Sequence, residues 1–158
     1  MLGIWSLGFG IYNMLTVIQR VTKGQVLVEN KTVGSIGPGL VVLLGIKKGD
    51  IIESVDYLVE KIINLRIFGD ENDKMNKSLI DIKGEILLVS QFTLYGNCVK
   101  GRRPSFENAE DPKRAKELYE LFIQKLKEKN ISVQTGEFGA MMQVEIHNDG
   151  PVTFVLEK

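Results

Sequence analysis

The chain has 158 residues, 44% hydrophobic and 25% charged, which fits one globular domain whose folding buries about 70% of the unfolded chain's surface. Lys plus Arg and Asp plus Glu are both 20, so net charge points to no polyanion, and such a partner would need a local basic patch. One cysteine, Cys98, excludes an internal disulfide framework and points to a reducing, cytoplasmic compartment; with the single His147 it excludes Cys/His zinc sets.

Residues 1–13 carry no charge and include Trp5, Phe9 and Tyr12. They lack the basic region and cleavage site of a signal peptide and are shorter than the roughly 20 apolar residues of a membrane span. We read them as an N-terminal extension, with Met14 as the start of a single domain over 14–158 and no membrane partner.

Thr16–Val21 alternates as a strand, and Val26–Glu29 and Thr32–Ile36 read as a hairpin around Asn30-Lys31. After the turn Gly37-Pro38-Gly39, Leu40–Ile46 is an apolar strand. Asp50 with Glu53 three residues on reads as a capping box, opening a helix that places Val55, Leu58, Val59, Ile62 and Ile63 on one face. Leu79–Ile82 and Glu85–Ser90 read as strands paired across Lys83-Gly84. Asp111 and Pro112 start a second helix with Ala115, Leu118, Phe122 and Leu126 as its stripe. Ile131–Thr135, Met141–His147 and Val152–Leu156 read as three closing strands. The sum is an α+β fold: mostly antiparallel sheets curled into a barrel-like core, with two helices on one side.

Several chemistries lack their signatures: there is no P-loop, no G-x-G-x-x-G and no G-x-S-x-G elbow. A Ser-His-Asp triad would need His147, which alternates with Val144 and Ile146 and reads as structural. Cys98 reads as an inert loop thiol. No carboxylate spacing singles out a magnesium site. What remains is the apolar run Ile86–Val89 ending in Ser90, Gln91 and Thr93, and a polar string Asn148–Thr153 near the C-terminus. Hydroxyl and amide groups at the rim of an inner strand are held accurately. Both strings point to a small site of hydroxyls and backbone with no metal.

Ser90-Gln91-Phe92-Thr93-Leu94 and Asn148-Asp149-Gly150-Pro151-Val152-Thr153 resemble the two signature motifs of the D-aminoacyl-tRNA deacylases. Val17–Val21, Gly37–Leu40, Leu65–Phe68, Lys74–Asn76, Lys100–Phe106 and Gly136–Met142 agree in order and spacing, so the resemblance runs from Met14 to Lys158. It implies hydrolysis of the ester joining a D-amino acid to the 3′ end of tRNA, in a homodimer with sites at the subunit interface, without cofactor, metal or DNA. It also implies catalytic roles for Ser90, Gln91, Phe92 and Thr93, with the backbone amides of Phe92 and Thr93 holding the oxyanion. Thr93 is either a nucleophile, for which no base stands out, or a positioning group beside a substrate 2′-hydroxyl, and we favour the second. A cis Gly150-Pro151 bond is implied to reach the partner's site and reject L side chains, so that glycyl-tRNA is also cleaved. Phe138 and Met141 or Met142 are expected around the adenosine, and Lys100, Arg102 and Arg103 on tRNA phosphates, with Lys113, Arg114 and Lys116 following. A non-catalytic tRNA-binding module, a stand-alone relative of an archaeal threonyl-tRNA synthetase editing domain, and a structural dimer are the competing readings.

Overall fold

The strand that starts at Leu15 runs on through the polar Thr22–Gln25 stretch to Val28 and forms one element, β1 (Leu15–Val28), where two were expected. The computed structural model describes residues 14–158, and the expected N-terminal extension lies outside the described residues. A two-residue turn at Glu29 and Asn30, with φ of 50° and 62°, leads into β2 (Lys31–Ile36). Val28 pairs with Lys31, so the corner lies one residue earlier than the expected Asn30-Lys31. Positive φ at both corner positions matches the twist of the flanking strands.

β1 serves two neighbours in turn. Its first half pairs antiparallel with β3 (Gly39–Gly45), from Leu15↔Gly45 to Val21↔Gly39, and its second half with β2. β6 (Glu85–Ser90) then lies parallel to β3, and β7 (Ser132–Thr135) parallel to β6. Helical crossovers make these two parallel pairings possible, so this half of the sheet is not in hairpin order. The final strand, β8 (Gln143–Glu157), runs antiparallel along β1. It joins the two expected strands Met141–His147 and Val152–Leu156 into one that starts two residues later, at Gln143, since ladder pairing resumes on each side of Gly150-Pro151. The sheet curls until β2 meets β7: a Cβ on Gly34 would lie 2.3 Å from the Thr135 carbonyl oxygen, so glycine permits the nearly closed barrel.

Helix α1 (Ile52–Asn64) buries Val55, Leu58, Val59, Ile62 and Ile63, the stripe expected of it. Its cap differs. Ile51 holds the N-cap position without a side-chain bond, while the buried Asp50 carboxylate accepts the Lys47 N–H at 2.7 Å. Asp50 thus closes the preceding turn, one residue before the helix cap. A small hairpin, β4 (Phe68–Gly69) and β5 (Met75–Lys77), leads into α2 (Leu79–Ile82), a single helical turn where a strand was expected. Ser78 Oγ accepts from Asp81 N–H and the Asp81 carboxylate from Ser78 N–H, at 3.2 and 2.8 Å. This capping box diverts four apolar-rich residues from strand to helix. Helix α3 (Pro112–Glu128) starts as expected, with Asp111 accepting from Lys113 N–H and Pro112 in the first turn.

The inner strands are buried on both faces, which explains their unbroken hydrophobicity. Ile18, Leu40, Val42, Leu44, Ile86 and Leu88 pack with α1 and α3, while Val21, Val26, Ile36, Val41, Leu87 and Val89 fill the barrel. Each such side chain contributes roughly 1.5–3 kcal/mol on full burial. The sites stand on the rims of this doubly packed sheet.

Candidate active site

At its last residue β6 changes from apolar to polar. Ser90 is half-buried and pairs with Leu44, and Gln91 N–H donates to the Leu44 carbonyl at 2.8 Å. The chain then tightens into a 3-10 turn, Phe92–Tyr95, closed by Leu94 N–H on Gln91 O and Gly96 N–H on Thr93 O. The first N–H groups of such a turn, those of Phe92 and Thr93, have no acceptor within it. Gly45 seats the turn. A Cβ there would come 3.1 Å from Leu94 Cβ and 3.1 Å from Tyr95 Cε2. Gln91 Nε2 donates to Thr93 Oγ1, holding the exposed hydroxyl at the start of the turn. The amide of Gln91 is the one side-chain partner that the described residues give this hydroxyl, with no imidazole or carboxylate bonded to it.

Two tyrosines back the turn. Tyr119 Oη donates to Leu88 O at 3.3 Å, and burial pushes its pKa up to about 12. Burial, then the Asp50 and Glu157 charges, also raises Tyr95, whose buried hydroxyl has no partner among the described residues.

β7 runs parallel to β6 and ends at the same rim, with Leu88 level with Thr135. The segment after it therefore stands near Ser90–Thr93. Phe138 is half-buried there, its ring 5.5 Å from that of Tyr119. Met141 is 92% exposed, whereas Met142 turns inward onto the barrel core, its sulfur accepting the Glu137 N–H. Of the two methionines, only Met141 projects into solvent.

The Asn97–Ser105 excursion rises from the same rim. Paired N–H to carbonyl bonds of 2.7 and 2.9 Å between Asn97 and Ser105 pinch its base. Its tip exposes Lys100, Arg102 and Arg103, and these form no ion pair among the described residues. Arg114 and Lys116 instead face Glu117 and Glu120 along α3 at 3.2 and 4.0 Å. Cys98 and His147 are exposed, and among the described residues no group of His, Cys, Asp or Glu is gathered as a metal set requires.

The second motif lies elsewhere. Gln19 pairs with Thr153 and Val21 with Asn148, so residues 149–152 all bulge opposite Arg20. The Gly150-Pro151 bond is cis, and φ of 142° at Gly150 is open to glycine but strained for L side chains. Arg20 Nε donates to Asp149 O at 3.0 Å and Nη1 to Ile67 O at 2.8 Å, so one guanidinium ties the bulge to the segment that enters β4. Asn148 Oδ1 accepts from Val152 N–H at 2.7 Å, closing the bulge from within. Gly150 and Pro151 remain exposed.

The register measures how far apart the motifs are. Arg20 is level with Leu40 and Ile86, whereas Ser90 is level with Leu44. That is four residues along the strands, about 13 Å, and three strand spacings, about 14 Å. One chain does not bring the two motifs together. Sequence reasoning had given Arg20 no role, although it is the lone charge in Leu15–Val21 and that was the available signal.

The family model described as D-Tyr-tRNA(Tyr) deacylase matches residues 17–157. The chain belongs to this deacylase family. It is 61% identical over 144 residues to a D-aminoacyl-tRNA deacylase of Clostridium botulinum (strain Alaska E43 / Type E3), covering 91% of this chain and 97% of that protein. It is 62% identical, with the same coverage, to a D-aminoacyl-tRNA deacylase of Aquifex aeolicus (strain VF5). Among solved structures, a c-Myc DNA Unwinding Element Binding Protein superposes with a TM-score of 0.86 at 43% identity, over 92% of this chain and 99% of that one. A probable eukaryotic D-amino acid tRNA deacylase shares the fold, with a TM-score of 0.77 at 21% identity over 92% of this chain and all of that one. Both deacylase-family motifs lie inside the matched span, as do Arg20, Phe138 and the basic tip.

Proposed function

We propose that this protein hydrolyses D-aminoacyl-tRNA, releasing the free D-amino acid and tRNA, and acts on glycyl-tRNA as well. The observation that carries this reading is the seating of the Ser90–Thr93 turn. It leaves two N–H groups without an acceptor inside the turn and holds an amide–hydroxyl pair at the end of a buried strand. Water adds to the ester carbonyl, and negative charge develops on the carbonyl oxygen. The N–H groups of Phe92 and Thr93 stabilise that charge, a contribution worth roughly 10² to 10³ in rate per donor. Ser90 and Gln91 orient the water and the terminal ribose. The bond from the acyl carbon to the ribose oxygen then breaks, and that oxygen takes up the proton lost by the attacking water and leaves as a hydroxyl. Thr93 positions groups and forms no acyl-enzyme, a reading supported by the lack of any imidazole or carboxylate bonded to its hydroxyl among the described residues. Phe138 and Met141 border the adenosine, and Lys100, Arg102 and Arg103 hold phosphates.

A second copy of this chain completes each site. The separation of the motifs supports this, as does an apolar stripe that leaves the barrel core. Val89, Leu43, Val17 and Val155 are level across four strands, and burial falls along them until Val155 is 62% exposed. A partner covering that stripe brings its Gly150-Pro151 bulge to the turn. Main-chain carbonyls of the bulge then collide with an L side chain at the substrate Cα, while a D side chain or glycine passes. Among the described residues no helix is long and apolar enough to cross a membrane.

One assay tests the reading: the protein is incubated separately with D-tyrosyl-, L-tyrosyl-, glycyl- and L-seryl-tRNA. Loss of the D-tyrosyl and glycyl esters with both L-esters intact is the expected result. Release of L-serine would transfer the protein to an editing activity of opposite chirality, and loss of no ester would leave it a binding protein.

A further inference from the structure

The basic tip ends in an aromatic side chain to which the hydrolytic reading gives no task. Phe106 is 39% exposed and packs at 64° against Phe92, itself 57% exposed, with ring centroids 5.2 Å apart. Gly96 admits it, since a Cβ there would lie 3.0 Å from Phe106 Cε1. Neither ring is part of the buried cores. The aromatic pair therefore sits at the surface, with the Ser90–Thr93 turn on one side and the cationic tip on the other. From Asn97 to Phe106 the chain carries Lys100, Arg102 and Arg103 and no acidic residue. The strap that follows is fixed to the sheet through Lys48 N–H on Asn108 O and Glu110 N–H on Ile46 O, so the tip and Phe106 have a set position. Cations leading up to an open ring are the elements by which single-stranded nucleic acids are held, phosphates on the charges and a base on the π-face.

We propose that Phe106 is a stacking platform for an unpaired base of the tRNA 3′ strand just upstream of the terminal adenosine. Lys100, Arg102 and Arg103 take the phosphates of that same single strand, not those of the paired acceptor stem. This rests on the deacylase reading and adds to it a subsite for the unpaired tail. Stacking and phosphate contact are both tolerant of sequence, which suits an enzyme that meets many tRNAs.

The test compares D-tyrosyl-tRNA with the D-tyrosyl ester of adenosine, which has neither an upstream base nor a phosphate. Phe106→Leu is expected to raise KM for the tRNA about tenfold at similar kcat, the scale of one lost stacking contact. Its KM for the adenosine ester should change less than about twofold, since that substrate never reaches the platform. Phe106→Tyr should restore the tRNA value. Neutralising the tip with K100A/R102A/R103A should flatten the dependence of log KM on log salt for the tRNA by about 2, as expected for three phosphates of a single strand. A short single-stranded RNA of the tRNA 3′ sequence, with no ester, should bind Phe106→Leu about tenfold more weakly than wild type. This last measurement stands even if the protein cleaves no ester, so failure of the deacylase reading and failure of the platform are distinguishable. Equal losses on both esters, an unchanged tRNA KM in Phe106→Leu, or no rescue by tyrosine would overturn the proposal. So would dissociation of a wild-type dimer by Phe106→Leu, because the aromatic pair would then belong to a subunit interface.

Discussion

The Ser90–Thr93 turn rests on Leu44 and Gly45 with a packed core directly behind it, whereas the Gly150–Pro151 bulge interrupts the β1–β8 ladder with both residues exposed and is tied down by one guanidinium. The turn inherits its accuracy from packing, since Leu88 and Val89 are fully buried on opposite faces just before it. The bulge inherits its shape from backbone conformation and from the polar contacts of Arg20 and Asn148. A reacting centre and a steric gate can thus be built by different forces on one sheet. Damage to the first should appear as lost stability, and damage to the second as lost function in a stable protein.

The sharpest check is Leu88→Ala, which empties the core behind the turn. It is expected to destabilise the protein by about 2–5 kcal/mol, read as a shift in the denaturant midpoint. Arg20→Ala should do the reverse. Stability should fall by about 1.5–3 kcal/mol for the lost charged hydrogen bonds, with no cavity opened in the core. The kcat/KM for D-tyrosyl-tRNA should fall about 10²-fold, the cost of displacing a group by about an ångström. Arg20→Lys should rescue little, because an ammonium on a flexible stem does not reproduce the planar fork that spans Asp149 O and Ile67 O. If Arg20→Ala instead unfolded the protein while activity per folded molecule held, the contrast between the two regions would be lost.

Smaller effects test the turn itself. Thr93→Ala should cost less than about tenfold in kcat, with no trappable acyl-enzyme; a loss near 10⁴ would mark a nucleophile. The last check uses pH. Tyr119, behind the turn, has its pKa raised from 10.0 to about 12 by burial. A raised folded value means the neutral form is favoured in the native state. Its contribution is therefore fully present below pH 10 and is lost as pH rises from 10 towards about 12. Tyr119→Phe should remove that part of the alkaline loss of stability, followed by denaturation at stepped pH. An unchanged alkaline profile would separate Tyr119 from the stability of the turn's seat.

The long periodic elements were legible in the chain. The stripes of α1 and α3 follow a 3.6-residue repeat, and Leu40–Ile46 and Ile86–Val89 announce double-sided burial. The sequence misled where a short signal was outvoted. Leu79–Ile82 looks like a strand until Ser78 and Asp81 are seen to cap each other. Asp50 looks like a helix cap until its carboxylate is found closing its own turn. Gly150-Pro151 looks like a break between strands, yet β8 resumes its pairing with β1 beyond it.

For function, local composition sufficed to find the polar end of β6 and the Asn148–Thr153 string, because side-chain chemistry is written residue by residue. It also carried the motifs by which the family could be named. Their relative placement was not written there. Register, the bend of β1 from β3 to β2, and the tie from Arg20 to two distant carbonyls all arise from pairings between residues far apart in the chain. Such pairings depend on which surfaces pack together, and only the assembled sheet shows that the two motifs of one chain stand apart, one at the end of β6 and one within β8.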